Sequence, residues 1–255
     1  MDNITDNYKD NIINGSSNQV EGKTNSINGS FSIVKGDQNG VKGSANSILG
    51  NLNFASGERN LAVGNGNAVI GSSNKLVGDS NLINGTKNTI VGASVTVKGD
   101  NNEAFGENNN IEGMQNIVQG TLNFVKNGSY NKAGGSNNTI VNGSANQIQG
   151  DNNQVSNNAN KITGSRNKVY GSMNILEGND LLIYGDRNNI KGNNNKLIGN
   201  NNILNGIQNS VGQIDSELLK NINNTVSNLK KSSPSNSQSN WRGDGLINFY
   251  CIYNT

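Results

Sequence analysis

The sequence predicts an all-β fold: a parallel β-solenoid (β-roll) of 14-residue, two-strand coils, followed by a short C-terminal helix and an aromatic tail. The first observation behind this is a seven-residue unit, Gly-x-x-Asn-x-Φ-x with Φ apolar, which occurs 28 times in succession from Gly15 to Gly212. Gly opens 27 of these units, Asn holds the fourth place in 25, and the sixth place is apolar in every one. The second observation is that apolar residues at the seventh place recur every fourteen residues over the first half of the array, which indicates that two units make one coil.

The unit is incompatible with a helix, because one Gly in every seven residues costs a helix about 1 kcal/mol per unit. In an extended backbone, by contrast, the fourth and sixth places point to the same face, and Gly marks a corner where a positive φ is cheap. A lone strand cannot bury one of its faces, so the units must stack. About fourteen coils at a strand spacing of about 4.8 Å predict a rod about 65 to 70 Å long.

The interior of this rod should hold two kinds of residue. The fourth-place Asn side chains point inward and must be satisfied, which we expect from amides that bond to one another and to the corner backbone. The sixth-place residues that we expect inside include Ile27, Ile48, Val69, Leu76, Ile90, Ile111, Ile148, Ile162, Ile190 and Leu197.

Residues 71–92, GSSNKLVGDSNLINGTKNTIVG, show the repeat most clearly. They resemble the head repeats of trimeric autotransporter adhesins, which are left-handed parallel β-rolls of bacterial surface proteins. The resemblance covers about residues 15–212, although that family usually carries Ala or Ser where Asn stands here. It implies a β-roll, trimerisation and an adhesin function.

The array begins after an N-terminal cap, residues 1–14. Within this cap, Tyr8 to Asn14 fits one more unit with Tyr in place of Gly, and Asn11 and Ile13 keep the register. We interpret it as the atypical terminal coil that closes one end of the stack.

Two units, residues 120–127 and 135–142, are eight residues long, and we expect each extra residue to form a bulge at a corner. Before them, apolar residues recur at the seventh place at a spacing of fourteen: Leu49, Val63, Val77, Val91 and Phe105. Beyond them, the apolar seventh places are Val141, Tyr170, Tyr184 and Ile198, which belong to the other half of the coil. One interpretation is two contact surfaces, one for each half of the rod; the other is that the seventh place simply tolerates apolar residues.

Three segments follow the solenoid of residues 15–212. Residues 213–231 predict an amphipathic helix with Leu219, Ile222, Val226 and Leu229 on one face. We expect this helix to cap the last coil, with trimerisation as a stalk as the alternative. Residues 232–240 predict a linker, and residues 241–255 an aromatic tail that attaches to a partner. The tail residues expected to act as anchors are Trp241, Phe249, Tyr250 and Tyr253.

Composition argues against several classes of function. The chain has no His, which excludes His-based catalysis and His metal sites, and we predict no catalytic, cofactor-binding or metal-binding residue. A net charge of +2 gives no reason to expect nucleic acid as a partner. No apolar run reaches the length of a membrane span. An ice-binding face would need ranks of Thr at one repeat position, and Thr89, Thr96 and Thr139 are too sporadic to form one.

The resulting hypothesis is a non-enzymatic structural or scaffold protein, a rigid rod that docks into a larger assembly such as the cytoskeleton or associates with itself, with a trimer as one form. The alternative is a surface adhesin head of the trimeric autotransporter type. The N-terminus lacks the pattern of a secretory signal. We therefore expect an intracellular, cytoplasmic or cytoskeletal location, with the alternative of a cell-surface location reached without an N-terminal signal.

Overall fold

The computed structural model describes the backbone of residues 5–6 and all of residues 10–212. The predicted helix (213–231), linker and aromatic tail lie outside the described residues. Within the described part, the chain forms thirty short strands in two parallel sheets of fifteen strands each. The chain alternates between the two sheets, so that two consecutive strands make one coil, as predicted.

Sheet A contains the odd-numbered strands and sheet B the even-numbered ones. The strands of sheet A are β1 (Thr5–Asp6), β3 (Gln19–Glu21), β5 (Ile33–Lys35), β7 (Ser47–Leu49), β9 (Leu61–Val63), β11 (Lys75–Val77), β13 (Thr89–Val91), β15 (Glu103–Phe105), β17 (Ile117–Gln119), β19 (Lys132–Gly134), β21 (Gln147–Gln149), β23 (Lys161–Thr163), β25 (Ile175–Glu177), β27 (Asn189–Lys191) and β29 (Ile203–Asn205). The strands of sheet B are β2 (Ile12–Asn14), β4 (Ser26–Asn28), β6 (Gly40–Lys42), β8 (Phe54–Ser56), β10 (Ala68–Ile70), β12 (Leu82–Asn84), β14 (Thr96–Lys98), β16 (Asn110–Glu112), β18 (Phe124–Lys126), β20 (Thr139–Val141), β22 (Gln154–Ser156), β24 (Lys168–Tyr170), β26 (Leu182–Tyr184), β28 (Lys196–Ile198) and β30 (Ser210–Val211).

The register between strands keeps equivalent residues of the repeat in line. Leu76 in β11 pairs with Ile90 in β13, fourteen residues later, and the same offset holds along both sheets until the eight-residue units. Each strand covers the fifth to seventh places, so the sixth place points into the rod and the fifth and seventh point outward. All ten residues that the sequence placed inside are buried, which confirms that prediction.

The corners explain why Gly opens the unit. Gly71 has a φ of 120°, and a Cβ added there would collide with the carbonyl oxygen of Gly85 in the next coil. The sequence predicts a positive φ at this first place but not at the third place, where the backbone is also left-handed, for example at Ser73 (φ 60°) and Lys87 (φ 55°). A regular corner therefore contains two residues with positive φ, and at the first of them a Cβ has no space; Asn157 (φ 71°) opens the one unit without Gly.

Both irregularities of the array are absorbed as predicted. The extra residues Asn127 and Asn142 each adopt a φ of 52°, and the Asn127 amide donates to Oδ1 of Asn142 at 3.2 Å. They follow successive strands of sheet B, so the two bulges stack at one corner and the register resumes beyond them. At the other end of the rod, Asn11 donates from Nδ2 to the carbonyl of Gly22 at 2.9 Å, so the first unit keeps the register that the sequence predicts.

Candidate functional site

The fourth-place Asn residues form two internal ladders that hold successive coils at a fixed spacing. Asn74 illustrates the bonding: its Nδ2 donates to the carbonyl of Gly85 (2.8 Å) and to Oδ1 of Asn60 (3.0 Å). Its own Oδ1 accepts from the backbone N–H (3.0 Å) and Nδ2 (3.1 Å) of Asn88. Because every donor and acceptor of the amide is used, a polar side chain can be fully buried without cost. The ladder keeps the outward rows of residues straight.

A second ladder, which the sequence analysis missed, runs outside at the second place of the unit. Here Ser, Asp or Asn side chains accept from the backbone N–H one coil earlier, as Asp100 does from Thr86 at 2.6 Å and Asp186 from Ser172 at 2.6 Å. The signal was present in the sequence, since these short acceptor side chains recur at the second place. The ladder explains how exposed corners of a polar sequence stay ordered.

The first candidate surface is the sheet A ladder, which consists of Leu49, Val63, Val77, Val91 and Phe105. These five seventh-place residues occupy successive strands and pair directly with one another. Leu49, Val91 and Phe105 are exposed, and Val63 and Val77 are half-buried by their neighbours in the row. The structure therefore brings together the first group of predicted contact residues as one continuous apolar strip on the outer face of sheet A.

Polar residues lie at both ends of the apolar strip. In the same row, Lys35 lies before Leu49 and bridges to Glu21 at 3.3 Å, and Gln119 follows Phe105. The neighbouring fifth-place row is mixed, with Leu61 and Thr89 alternating with Lys75 and Glu103. The apolar surface is thus one row wide and five strands long, which at a strand spacing of about 4.8 Å amounts to about 19 Å.

The second candidate surface is the Tyr row of sheet B, which consists of Val141, Ser156, Tyr170, Tyr184 and Ile198. The rings of Tyr170 and Tyr184 stack at a centroid distance of 4.8 Å and an interplanar angle of 6°. Burial raises the pKa of the Tyr170 phenol, and burial and then the neighbouring Tyr170 raise the pKa of Tyr184. Val141 and Tyr184 are each 6% exposed, whereas Ile70, at the equivalent place in the first half of sheet B, is 42% exposed.

The predicted change of side is therefore a feature of the structure, with the sheet A ladder in the first half of the rod and the Tyr row in the second. Whether either row binds a partner stays a prediction. The remaining predicted contact residues, Trp241, Phe249, Tyr250 and Tyr253, lie outside the described residues.

A family comparison identifies the repeat. The family model described as the grass antifreeze β-roll matches residues 48–127 and again residues 118–218, which together cover about two thirds of the chain. The chain belongs to the grass antifreeze β-roll family. A search of curated proteins found no match to this antifreeze-type β-roll.

This assignment corrects the sequence-based resemblance to trimeric autotransporter head repeats, which is wrong. The physical reason is that both repeats use a Gly corner and an inward apolar residue, and those two features specify the β-roll geometry and not the family. In this antifreeze-type β-roll the fourth place carries a hydrogen-bonded Asn ladder, as at Asn74.

Threonine does not form a rank on either face of the described solenoid. Thr89 lies on sheet A, whereas Thr96 and Thr139 lie on sheet B, where Asn110 and Phe124 separate them in the fifth-place row. Large apolar, small and polar side chains are mixed along this outward row of the antifreeze-type β-roll from Ser26 to Gln154.

The described residues offer no group of three or more His, Cys, Asp or Glu side chains that could hold a metal ion. Nor is any helix in this part of the chain long and apolar enough to cross a membrane. The best-formed exposed ion pair is Arg166 with Asp180, in which Nε and Nη2 donate at 2.7 and 2.8 Å and lower the pKa of the carboxyl group. Such an exposed pair links two corners and contributes little to stability.

Proposed function

We propose that this antifreeze-type β-roll acts as a rigid, non-catalytic rod that binds another protein of a larger assembly through the sheet A ladder. The observation that carries the proposal is the unbroken, in-register run of five outward-facing apolar side chains from Leu49 to Phe105. A repeat whose outward places are otherwise free to vary has no folding reason to keep one outward row apolar over five coils. Water-exposed apolar strips of this kind are typical of protein contact sites.

The dimensions of the ladder indicate the kind of contact. A strip one side chain wide buries much less area than the roughly 800 Å² per partner that a standard stable interface buries. It is therefore suited to one contact among several in a multivalent assembly, where linked weak contacts reinforce one another. The internal Asn ladders make the strip straight and rigid, so it loses little conformational entropy when it binds a flat apolar partner surface.

The proposal is tested with Val77→Lys, at the centre of the ladder, and with Ile70→Lys as the matched control. Both residues are outward-facing at the seventh place, and other units already carry Lys at that place on each sheet, as Lys35 and Lys98 do. The fold should therefore accept either change. The chain is expressed in the cells from which the sequence derives, and its distribution between high-mass complexes and free protein is measured by size exclusion.

We expect the wild-type chain and Ile70→Lys to elute in complexes and Val77→Lys to elute as free protein. Purified chain is run alone beside them, because complexes that form without other proteins would mean self-association through the same ladder. Equal elution of Val77→Lys and the wild type would contradict the proposal.

The family match favours a second candidate function, binding to ice. The regular strand spacing of sheet B gives a straight, repeating face, and its fifth-place row carries no charged residue from Ser26 to Gln154. The presence of Phe54, Leu82 and Phe124 in that row, without a rank of Thr, makes the face uneven, so we place this candidate second.

Ice binding is decided by thermal hysteresis of the purified chain and by its partition into a slowly growing ice hemisphere. The variant Ala68→Lys adds a charge to the fifth-place row of sheet B. If thermal hysteresis disappears in this variant and survives in Val77→Lys, the result would favour ice binding over protein binding through the sheet A ladder. Freezing behaviour equal to that of an unrelated protein at the same concentration would remove this candidate.

A further inference from the structure

We propose that the Tyr row is the seat of the chain's own predicted helix, residues 214–231, which turns back from the end of the solenoid and lies along the outer face of sheet B. This inference concerns the opposite sheet from the sheet A ladder and does not depend on the proposed function. Three observations identify the occupant: where the solenoid ends, how long the row is, and which charges flank it.

The solenoid ends on the Tyr row itself. Strand β30 pairs with β28 at Ser210 and Val211 and stops before the seventh place, which Gly212 occupies. A Cβ added to Gly212 would collide with the carbonyl oxygen of Ile198 and would lie 3.0 Å from the Ile198 Cβ. Gly212, the last described residue, therefore lies with its backbone directly against Ile198, the last residue of the row.

The length and apolar content of the helix match the row. From Val141 to Ile198 the row spans four strand spacings, or about 19 Å. The apolar face from Leu219 to Leu229 spans about 15 Å at the α-helical rise, within a helix of about 27 Å. A helix that starts at residue 214 beside Ile198 and runs back along the row sets Leu219 about 8 Å on, between Tyr184 and Tyr170, and sets Leu229 near Val141.

The flanking charges fix the direction. Lys168 and Lys196 occupy the fifth places of the strands that carry Tyr170 and Ile198. The first turn of the predicted helix carries Asp215 and Glu217. For a helix that begins beside Ile198 and runs back along the row, these acids lie near Lys196, at the end of the helix where acidic residues also favour the helix dipole.

Two side chains of the row are much less exposed than the apolar side chains at the end of the rod. Tyr184 and Val141 are nearly buried, whereas Ile203 and Ile207 at the end of the rod are 78% and 64% exposed. The end face is also a poorer seat, because a strand of three residues is only about 10 Å long and cannot support a helix of about 27 Å. Covering the row along the side of the rod uses the full apolar face of the helix.

The test uses hydrogen exchange of the backbone amides of residues 214–231 in the full-length chain. An isolated helix of this length is marginal in water, so its amides are protected only if the helix is seated. The variant pair Tyr170→Ser with Tyr184→Ser removes the seat. The matched control is Tyr130→Ser, which removes an exposed Tyr from a corner. A second variant, Ile203→Ser with Ile207→Ser, alters the end face.

We expect wild-type helix amides to exchange at least about tenfold more slowly than those of a peptide of residues 213–231, and the Tyr170/Tyr184 variant to lose that protection. Tyr130→Ser and the end-face variant should stay within about twofold of the wild type. Amides of the buried strands, such as Ile190, report in the same experiment that the rod stays folded.

Three results would overturn the inference. The first is a wild-type chain whose helix amides are unprotected. The second is protection that survives the loss of both Tyr residues. The third is protection that is lost only in the end-face variant, which would place the helix on the last coil. Protection that rises with protein concentration, together with a dimer mass in sedimentation, would assign the row to a second copy and would likewise refute the intramolecular seat.

Discussion

At the residue scale, the fold depends on a side chain that can accept twice and donate twice in a dry interior. Asn does both in its short side chain, which is why one residue type fills the fourth place. Ser32 shows the poorer alternative: its hydroxyl accepts from the N–H of Asn46 at 3.4 Å, whereas Oδ1 of Asn60 accepts from the N–H of Asn74 at 3.1 Å. At Val95 and Leu181 the amide is replaced by an apolar side chain, and the ladder is interrupted for one coil.

Asn74→Asp should destabilise the rod by about one to a few kcal/mol at pH 7. A carboxylate at this site has no donor for the Gly85 carbonyl or for Oδ1 of Asn60, and it turns two hydrogen bonds into repulsive contacts between oxygens. The free energy of unfolding is measured by urea denaturation. Asn84→Asp makes the same chemical change at an exposed seventh place and should shift that free energy by less than about 0.5 kcal/mol.

An Asn74→Asp variant as stable as Asn84→Asp would mean that the ladder amides contribute nothing beyond occupying space. That outcome would also remove the reason for placing Asn, and not a charged residue, inside the rod.

Much of this residue-scale account was predictable from spacing alone. Asn and the apolar residue stand two apart, so both must face inward if the segment is a strand, and the structure confirms it at Asn74 and Leu76. The left-handed third place was not predictable, because its occupants include Phe31, Leu52 and Lys87, which carry no turn preference. There the backbone is fixed by hydrogen bonds to the coils above and below, as Lys87 N–H donates to Ser72, so the stack overrides local preference.

At the element scale, the outward rows behave as units, because parallel pairing at fixed offset places the same repeat position above itself. The sequence predicted the sheet A ladder for this reason, since apolar residues fourteen apart must share a row once a coil holds fourteen residues. It did not predict the ring stacking of Tyr170 and Tyr184. That contact needs two flat side chains on adjacent strands to choose the same rotamer, which spacing does not determine.

The Tyr pair should make stability fall at high pH. Both phenols have a raised pKa in the folded state, so folded protein keeps its phenolic protons to higher pH than the unfolded chain. This contribution is complete below the ordinary value of 10.0 and is lost as pH rises above it. Urea denaturation at pH 8 and pH 11 measures the decline.

The variant Tyr170→Phe with Tyr184→Phe keeps the rings and removes the phenols, so its decline between these two pH values should be smaller than that of the wild type. Tyr130→Phe, at an exposed corner, serves as the control and should decline as the wild type does. Identical declines for all three proteins would show that the pair does not resist ionisation.

At the scale of the whole molecule, the inward-facing residues of each strand determine the fold, and the outward-facing residues form the surfaces to which a function is proposed. The Gly, Asn and inward apolar places specify a β-roll so strongly that the architecture follows from the sequence. These same places also produced the mistaken adhesin resemblance. Both proposed functions rely on the fifth and seventh places, where no rule of folding restricts the choice of residue. This is why the sequence predicted where the apolar rows lie but could not predict what they bind.

The rod should tolerate a change that rearranges its surface without altering its interior, because its two corners are built alike. Asn74 and Asn81 lie at opposite corners of one coil and each donates to the Gly carbonyl eleven residues on at 2.8 Å. Deleting one unit, residues 78–84, therefore moves every later strand to the other sheet while all inward places stay filled.

In this single-unit deletion, Leu49, Val63 and Val77 remain on sheet A, but Val91 and Phe105 move to sheet B, so the apolar ladder is divided. Deleting a whole coil, residues 78–91, removes Val91 but keeps Phe105 in line with Val77. We expect both deletion variants to melt within a few degrees of the wild type, since each coil contacts only its neighbours. In size exclusion, we expect only the single-unit deletion to release the chain from its complexes. If that deletion unfolds the rod while the coil deletion does not, the two corners are not equivalent, and if neither deletion releases the chain, the ladder does not act as one surface.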